Sequence, residues 1–351
     1  MKFDCIVVGS HLRFDGVWQR PHHLAVRLAE RVPVLFVEEP WLARSDSDAI
    51  ETHGAIAVLR PKRSDPSAVE IDDATVAAVR AWVAGRHVLV WLETPMMDRL
   101  ANAFAAEPVV YDCMDDLGSF ARAPVSLRAR EALLLERARL VFTGGRSLFE
   151  RCRSYGPKVR LFASGVEFAR FASARTAAPH PLFAHLGRPV CGYAGVIDER
   201  IDWALLAALA ERAVELVLVG PVMKIEGTPL PRRPNVHFTG QLPYGELPSL
   251  LAGFDVALMP FAHNAATATI SPTKTPEYLA AGKPVVSTRI ADVVAGYEGI
   301  VWFADAPEDF ADACLAAALG DPERARRGME LARTADWDAI AARMWRDLEG
   351  E

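Results

Sequence analysis

The chain has 351 residues, 51% of them apolar, with 39 Lys and Arg against 45 Asp and Glu. That length exceeds the size at which single cores usually stop growing and predicts two domains, while the ordinary globular composition excludes a disordered or fibrous protein. A formal net charge of −6 argues against a nucleic-acid binder, whose affinity comes mainly from neutralising phosphates.

Short apolar runs alternate with helical patterns from the first residues onward, the signature of parallel sheets covered by helices on both faces. In the first half, strands are predicted near 3–9, 33–37, 55–59, 87–92, 108–111 and 139–143, with helices near 21–30, 73–84, 97–104 and 126–138 between them. Pro21 suits a first helical turn, where a missing N–H costs nothing. The loop "SHLRFDGVWQRPHHLA" (10–25) crowds together His11, Asp15, Trp18, Gln19, Arg20, His22 and His23. So many polar and aromatic groups cost more order than a bare turn requires. Acceptor or phosphate binding is expected of Gln19 and Arg20, with Trp18 and His22 beside them and His23 behind.

Further on, "YDCMDDL" (111–117) ends a buried-type strand with Asp112, Asp115 and Asp116. Such carboxylates can bind a metal, orient an acceptor hydroxyl or cap the next segment. Capping is expected of Asp112. Asp115 and Asp116, at a strand's C-terminal end, are placed where ligands bind in doubly wound folds. The segment Arg122–Arg160 holds ten basic residues against three acidic ones, either a solvated helix face or a surface that meets anionic lipid or phosphate.

The pattern then restarts. "PVCGYAG" (189–195) repeats the strand-then-glycine opening of "CIVVGS" (5–10), and strands are predicted again near 215–219, 235–238, 255–259 and 284–288. The fold class is therefore α/β, two Rossmann-like doubly wound domains in tandem: 1–166, and 167–335 after a connection rich in Ala, Pro and His at 168–189. Two such domains facing each other make the cleft between them the default site. Helices near 307–319, 321–333 and 336–350 exceed what the second sheet needs, so the segment 336–351 is expected to cross back to the first domain.

Five dispersed cysteines without a Cys-x-x-Cys suggest neither a disulfide framework nor a zinc ribbon, and fit a reducing cytoplasm. No apolar run approaches the roughly 18 residues of a membrane span.

The stretch "SPTKTPEYLAAGKPVVS" (271–287) raises a chemical question. Ser271 and Pro272 precede a helix predicted from about Thr273 to Ala281, with Gly282 as its stop. The helix start offers N–H groups and partial positive charge to a phosphate. Lys274 adds a full charge, and Glu277 shares its face by the i, i+3 rule. A carboxylate beside a phosphate cradle suits a ribose diol, whose hydroxyls it can accept. An ordinary exposed Lys-Glu pair, worth a few tenths of a kcal/mol, is the alternative.

Beyond this local pattern, "SPTKTPEYLAAGKPVVST" resembles the nucleotide-sugar-binding segment of GT-B glycosyltransferases of the family 4 type. The segments "DGVWQRPHHLAVRLAE" (15–30), "VVYDCMDDL" (109–117), "VFTGGRSLFER" (141–151), "SGVEFARF" (164–171), "GYAGVIDERID" (192–202) and "FTGQLPYGELPSLLAGFDVALMPF" (238–261) look like successive landmarks of one subgroup. That subgroup includes teichuronic acid biosynthesis glycosyltransferases and similar surface-polysaccharide enzymes.

The resemblance implies a nucleoside diphosphate sugar as donor, most often a UDP sugar, and a polysaccharide or lipid-linked acceptor. It implies Glu277 on the donor ribose, Lys274 on the diphosphate, main-chain N–H groups of Thr273 and Thr275 assisting, and Gly195 admitting backbone to the phosphates. Two departures stand out. Ile270 occupies the place of the family's usual sugar-contacting glutamate, and Val196 that of a phosphate-binding arginine, for which Arg200 could substitute. Asp46-Ser47-Asp48 imitates the metal-binding Asp-x-Asp of the other large glycosyltransferase fold, but is predicted to sit in a polar loop and is discounted.

The expectation is thus a cytoplasmic glycosyltransferase, possible membrane association included, with retention at the anomeric carbon and no metal or other cofactor. Were it to invert, a protein base would be needed, with His11, Asp115 and Asp116 the candidates. Two alternatives stay open: an enzyme like UDP-N-acetylglucosamine 2-epimerase, and a catalytically silent nucleotide-sugar-binding module.

Overall fold

Strands buried on both faces need apolar residues at successive positions, and the runs that meet this condition nucleate both sheets of the computed structural model. The structure describes residues 1–121, 123–223 and 233–350; Arg122, from the basic segment, and Glu351 lie outside the described residues.

In chain order the elements begin β1 (Cys5–Ser10), α1 (Arg20–Ala29), β2 (Val34–Glu38), β3 (Trp41–Leu42), β4 (Ser47–His53) and β5 (Ile56–Arg63). They continue α2 (Asp73–Val83), β6 (Val88–Leu92), α3 (Asp98–Ala103), β7 (Val109–Cys113), α4 (Leu127–Arg137), β8 (Leu140–Thr143), α5 (Arg146–Cys152) and β9 (Val159–Leu161). The sheet order is β3-β5-β2-β1-β6-β7-β8-β9, with β4 antiparallel on β5. The chain thus leaves β1 toward β2 and later returns to its other side as β6, so the topological switch falls between the ends of β1 and β6.

The two-residue period of β1 divides its side chains. Cys5 and Val7 join Leu35, Val37 and Val90 in one core, whereas Ile6 and Val8 join Val34, Phe36 and Trp91 in the other.

The second sheet is built from α6 (Phe168–Ala172), β10 (Val190–Ala194), α7 (Trp203–Ala210), β11 (Glu215–Val219), β12 (Val236–Gly240), α8 (Leu247–Gly253), β13 (Val256–Met259) and α9 (Lys274–Ala280). It is completed by β14 (Val285–Ser287), α10 (Ala291–Tyr297), β15 (Trp302–Phe303), α11 (Pro307–Ala318) and α12 (Pro322–Thr334). Its order is β12-β11-β10-β13-β14-β15, all parallel, and the switch lies between β10 and β13. The last helix, α13 (Trp337–Glu349), belongs to the first unit, which comprises Met1–Ala163 with Trp337–Glu351; the second unit is Ser164–Asp336. Trp337, Ile340, Ala341, Met344 and Leu348 recur at helical spacing and fill the core with Ile6, Val8 and Phe36.

One local expectation is overturned. The polar segment around Asp46–Asp48 is no loop: β4 starts at Ser47 and forms a hairpin with β5. Asp48 accepts from Arg63 Nη2 at 2.9 Å, and Asp46 from the N–H and hydroxyl of Ser64 at 2.6 and 2.7 Å. Both carboxylates tie the start of β4 to the end of β5.

Candidate functional site

The carboxyl ends of β10, β11 and β13 meet the start of α9. Gly195 follows β10 and Gly220 follows β11, and only residues without Cβ allow their backbones so close. A Cβ on Gly220 would lie 1.9 Å from Gly195 O, and one on Gly195 would lie 2.0 Å from Lys274 Cε and 2.5 Å from its Nζ. Lys274 therefore extends across Gly195, its ammonium 5.7 Å from the ring centre of Tyr193. The helix that carries Lys274 is fixed from below by Tyr278, which sequence reasoning did not single out. Ala194 N–H donates to the Tyr278 hydroxyl at 2.9 Å, which donates in turn to Ala194 O at 3.3 Å. The helix ends as its glycine requires: Gly282 is left-handed at φ 71°, with Lys283 N–H on Tyr278 O and Gly282 N–H on Leu279 O.

Glu277 lies one turn beyond Lys274. Burial pushes its carboxyl up to about 7, Lys274 opposing the rise and Glu167 adding to it. Among the described residues no N–H or hydroxyl donates to its carboxylate, so its oxygens can accept. Thr273 is the residue before the helix proper, and its carbonyl receives Glu277 N–H at 3.2 Å. Ser271 and Pro272 lie half-buried ahead of it.

Two donor-side expectations change here. Thr275 N–H is turned to Pro272 O at 3.3 Å and its hydroxyl to Met259 Sδ at 3.2 Å, the whole residue being buried, so it has no N–H to offer a phosphate. Arg200 gives Nε and Nη2 to Asp198 in its own loop, at 2.9 and 2.8 Å, and is a loop clamp rather than a stand-in phosphate ligand. That loop is stitched to the β13 end by Asp202 N–H on Pro260 O, Ala262 N–H on Arg200 O, and Asn264 Nδ2 on Glu199 O. Ile270 is buried in the core of the second unit.

In the first unit Arg20 and His22 are buried in the packing rather than open to an acceptor. Arg20 is buried and forms a bidentate pair with Asp112, Nε to Oδ2 at 2.9 Å and Nη2 to Oδ1 at 2.7 Å, while Nη1 donates to Phe162 O at 2.6 Å. The expected cap, Asp112, is thus the arginine's partner. His22 is fully buried, with Nδ1 accepting from Gln19 N–H at 3.1 Å and Nε2 2.9 Å from Arg13 O. Gln19 is the cap residue of α1. Trp18 stacks on His22 at 5.0 Å and donates to His23 Nδ1 at 3.2 Å, and His23 stacks on Trp337 at 5.1 Å. These residues hold the loop and α13 in place.

Asp116 is ion-paired with Arg128, whereas Asp115 and His11 lie half-buried at the strand ends. Several other arginines of the basic segment are also engaged: Arg130 with Glu70 and Asp98, and Arg151 with Glu131.

One residue was missed altogether. Glu93, one position beyond β6 and across the switch from Ser10, is 1% exposed, and burial pushes its carboxyl well above the usual range. The strand-end rule that drew attention to Asp112 would have found it.

Comparison with known proteins bears on the fold and on part of the second unit. Residues 188–319, which carry Gly195, Lys274 and Glu277, match the family Glycosyl transferases group 1, and the fold is that of the GT-B glycosyltransferases. The chain covers 99% of sucrose-phosphate synthase from Thermosynechococcus elongatus, itself 99% covered, with a TM-score of 0.75 at 18% identity. It likewise matches Anabaena Alr3699/HepE in complex with UDP-glucose, with a TM-score of 0.71 at 17% identity, covering 99% of this chain and 100% of that one. In sequence it is 25% identical over 297 residues, 77% of this chain and 73% of its relative, to a Bacillus subtilis (strain 168) protein that bears the name teichuronic acid biosynthesis glycosyltransferase TuaH.

Proposed function

We propose that the chain transfers a sugar from a UDP sugar to an acceptor hydroxyl in the synthesis of a surface polysaccharide or glycolipid. The observation that carries this reading is the juxtaposition of Lys274 with the Gly195 backbone, a cation laid over a strand-end glycine where a diphosphate can approach. Glu277, with accepting oxygens one turn along the same helix, suits the ribose diol.

In the reaction the bond from the anomeric carbon to the diphosphate oxygen breaks, and its electron pair stays on the leaving diphosphate. Lys274 stabilises that growing charge, with the start of α9 adding partial positive charge. The acceptor oxygen bonds to the anomeric carbon on the face that the diphosphate leaves, which retains configuration, and its proton passes to a diphosphate oxygen, so that no protein base is needed. Among the described residues no helix is long and apolar enough to cross a membrane.

Calorimetry and thermal unfolding with a set of nucleotides test the reading. UDP at ~100 times its Kd should stabilise the protein by about 2.7 kcal/mol, and Glu277→Ala should weaken UDP binding by about 2 kcal/mol in a folded protein. A protein indifferent to UDP and other nucleoside diphosphates, or a folded Glu277→Ala variant with unchanged affinity, would refute it.

A further inference from the structure

Glu277 has a second carboxylate as neighbour. Glu167, immediately before α6, accepts from the Tyr244 hydroxyl at 2.8 Å and from Arg170 Nε at 3.0 Å, both on Oε2. Arg170 lies over the Tyr244 ring at 5.1 Å, and Phe171 meets that ring edge-on at 6.0 Å. Tyr244 is therefore clamped on two sides, and its proton is committed to Glu167. Helix α6 packs against α9, which brings the charge of Glu167 to bear on Glu277, and the Tyr244 hydroxyl stands in the field of both carboxylates.

Among the described residues the other charge that acts on Glu277 is Lys274. On its own helix Lys274 opposes Glu167, and Tyr278 packs beneath with its hydroxyl on Ala194. Helix α12 meets α9 at Gly328 against Leu279, its Arg333 lying over Phe168 at 4.9 Å, and β14 contributes the buried run Val285–Ser287. Among the described residues Lys274 and Glu167 are thus the charges that act on Glu277, Glu167 itself being paired with Arg170.

We propose that Glu167 and Tyr244, hydrogen-bonded to each other and brought toward Glu277 by the packing of α6 on α9, are positioning residues of the donor site that govern the hold of Glu277 on a ribose diol. This rests on the assignment of Glu277 to the ribose. A carboxylate accepts both diol hydroxyls, whereas its protonated form keeps a hydrogen where a ribose O–H should point. Affinity must therefore fall as pH drops and Glu277 takes up a proton. Removing the Glu167 charge makes that proton easier to lose and moves the acid limb to lower pH. Removing the Tyr244 hydroxyl leaves the Glu167 charge less screened and moves the limb to higher pH.

The test is UDP affinity by calorimetry from pH 5.5 to 8.5 for wild type, Glu277→Gln, Glu167→Gln and Tyr244→Phe, with folding checked by circular dichroism. Glu277→Gln, which cannot titrate, reports the titration of the UDP phosphate itself and is the reference profile. Relative to it, wild type should show an added acid limb, displaced downward by about one pH unit in Glu167→Gln and upward in Tyr244→Phe. If Glu277→Gln binds UDP as tightly as wild type at pH 8, the ribose assignment fails and takes this proposal with it. If Glu277→Gln is weakened but the limbs of Glu167→Gln and Tyr244→Phe overlay wild type, the positioning role alone is overturned. Tyr244→Phe decides the matter should Glu167→Gln not fold.

Discussion

Lys274 occupies the space that a side chain on Gly195 would fill: Cε lies 2.0 Å and Nζ 2.5 Å from the Cβ position of the glycine. A cation on the first turn of one helix and a bare stretch of backbone after a strand 79 positions earlier are therefore one structural feature. Substituting either should be felt through the other.

Gly195→Ala tests this most directly. Its methyl group must displace the Lys274 side chain, because the other close neighbour is the Tyr193 hydroxyl at 3.0 Å. UDP affinity measured by calorimetry should fall by tenfold or more, with the thermal midpoint changed by only a few degrees. Unchanged affinity would separate Gly195 from the donor site.

Lys274→Ala should act on turnover more than on ground-state binding, because the diphosphate gains charge as the glycosidic bond breaks. Once donor and acceptor are identified, kcat should fall about 10²- to 10³-fold, as when an oxyanion donor is removed. A raised KM with unaltered kcat would restrict Lys274 to uniform binding.

The buried Arg20–Asp112 pair predicts stability rather than activity. Asp112→Asn or Arg20→Met leaves a buried charge without its partner and should cost about 3–5 kcal/mol in urea unfolding. The double replacement should cost less than the sum of the two. Additive losses would show that the pair is not coupled.

Glu93 predicts a pH dependence. Its folded-state pKa is raised by burial, with Ser10 and Arg20 opposing and Asp112 adding to the rise. In the unfolded chain it titrates at about 4.3. Above that pH the folded state holds the extra proton, so stability falls as pH rises toward the folded-state pKa. Glu93→Gln, always neutral, should be more stable than wild type at pH 8, with the gap narrowing toward pH 5. Urea unfolding at the two pH values checks it, and a gap that widens on acidification would contradict the assignment.

Metal dependence provides the last test. Lys274 and backbone groups can meet the diphosphate charge without an ion, so transfer should survive excess EDTA with little loss. Asp46→Ala and Asp48→Ala should leave kcat unchanged, although Asp48→Ala should lower stability because Asp48 pairs with the buried Arg63. Activity abolished by EDTA and restored by Mg²⁺ would overturn the metal-free mechanism.

Much of the donor-side region was legible in the residues because its signals are local. A helix start, a lysine and glutamate three apart and a glycine stop all lie within Ser271–Gly282, and the i, i+3 geometry of a helix places Lys274 and Glu277 on one face whatever surrounds them. The repeated strand-then-glycine pattern likewise marks both sheets, since buried parallel strands must be apolar on both faces. The strands that escaped were β3, β9 and β15, of two or three residues, and the polar hairpin strand β4. None offers enough periodicity to be read.

What only the tertiary structure decided are the relationships between distant residues. Arg20 has the composition of a binding residue and became a core residue because Asp112, 92 positions away, emerges beside it. Glu93 carries no motif, and its burial depends on β6 folding back beside β1. Glu167 and Tyr244, 77 positions apart, are joined only by the fold of the second unit. Local sequence determines which groups a helix or strand end presents, whereas sheet order determines which of them meet. Burial then determines whether a charge is neutralised by a partner or left to face a ligand.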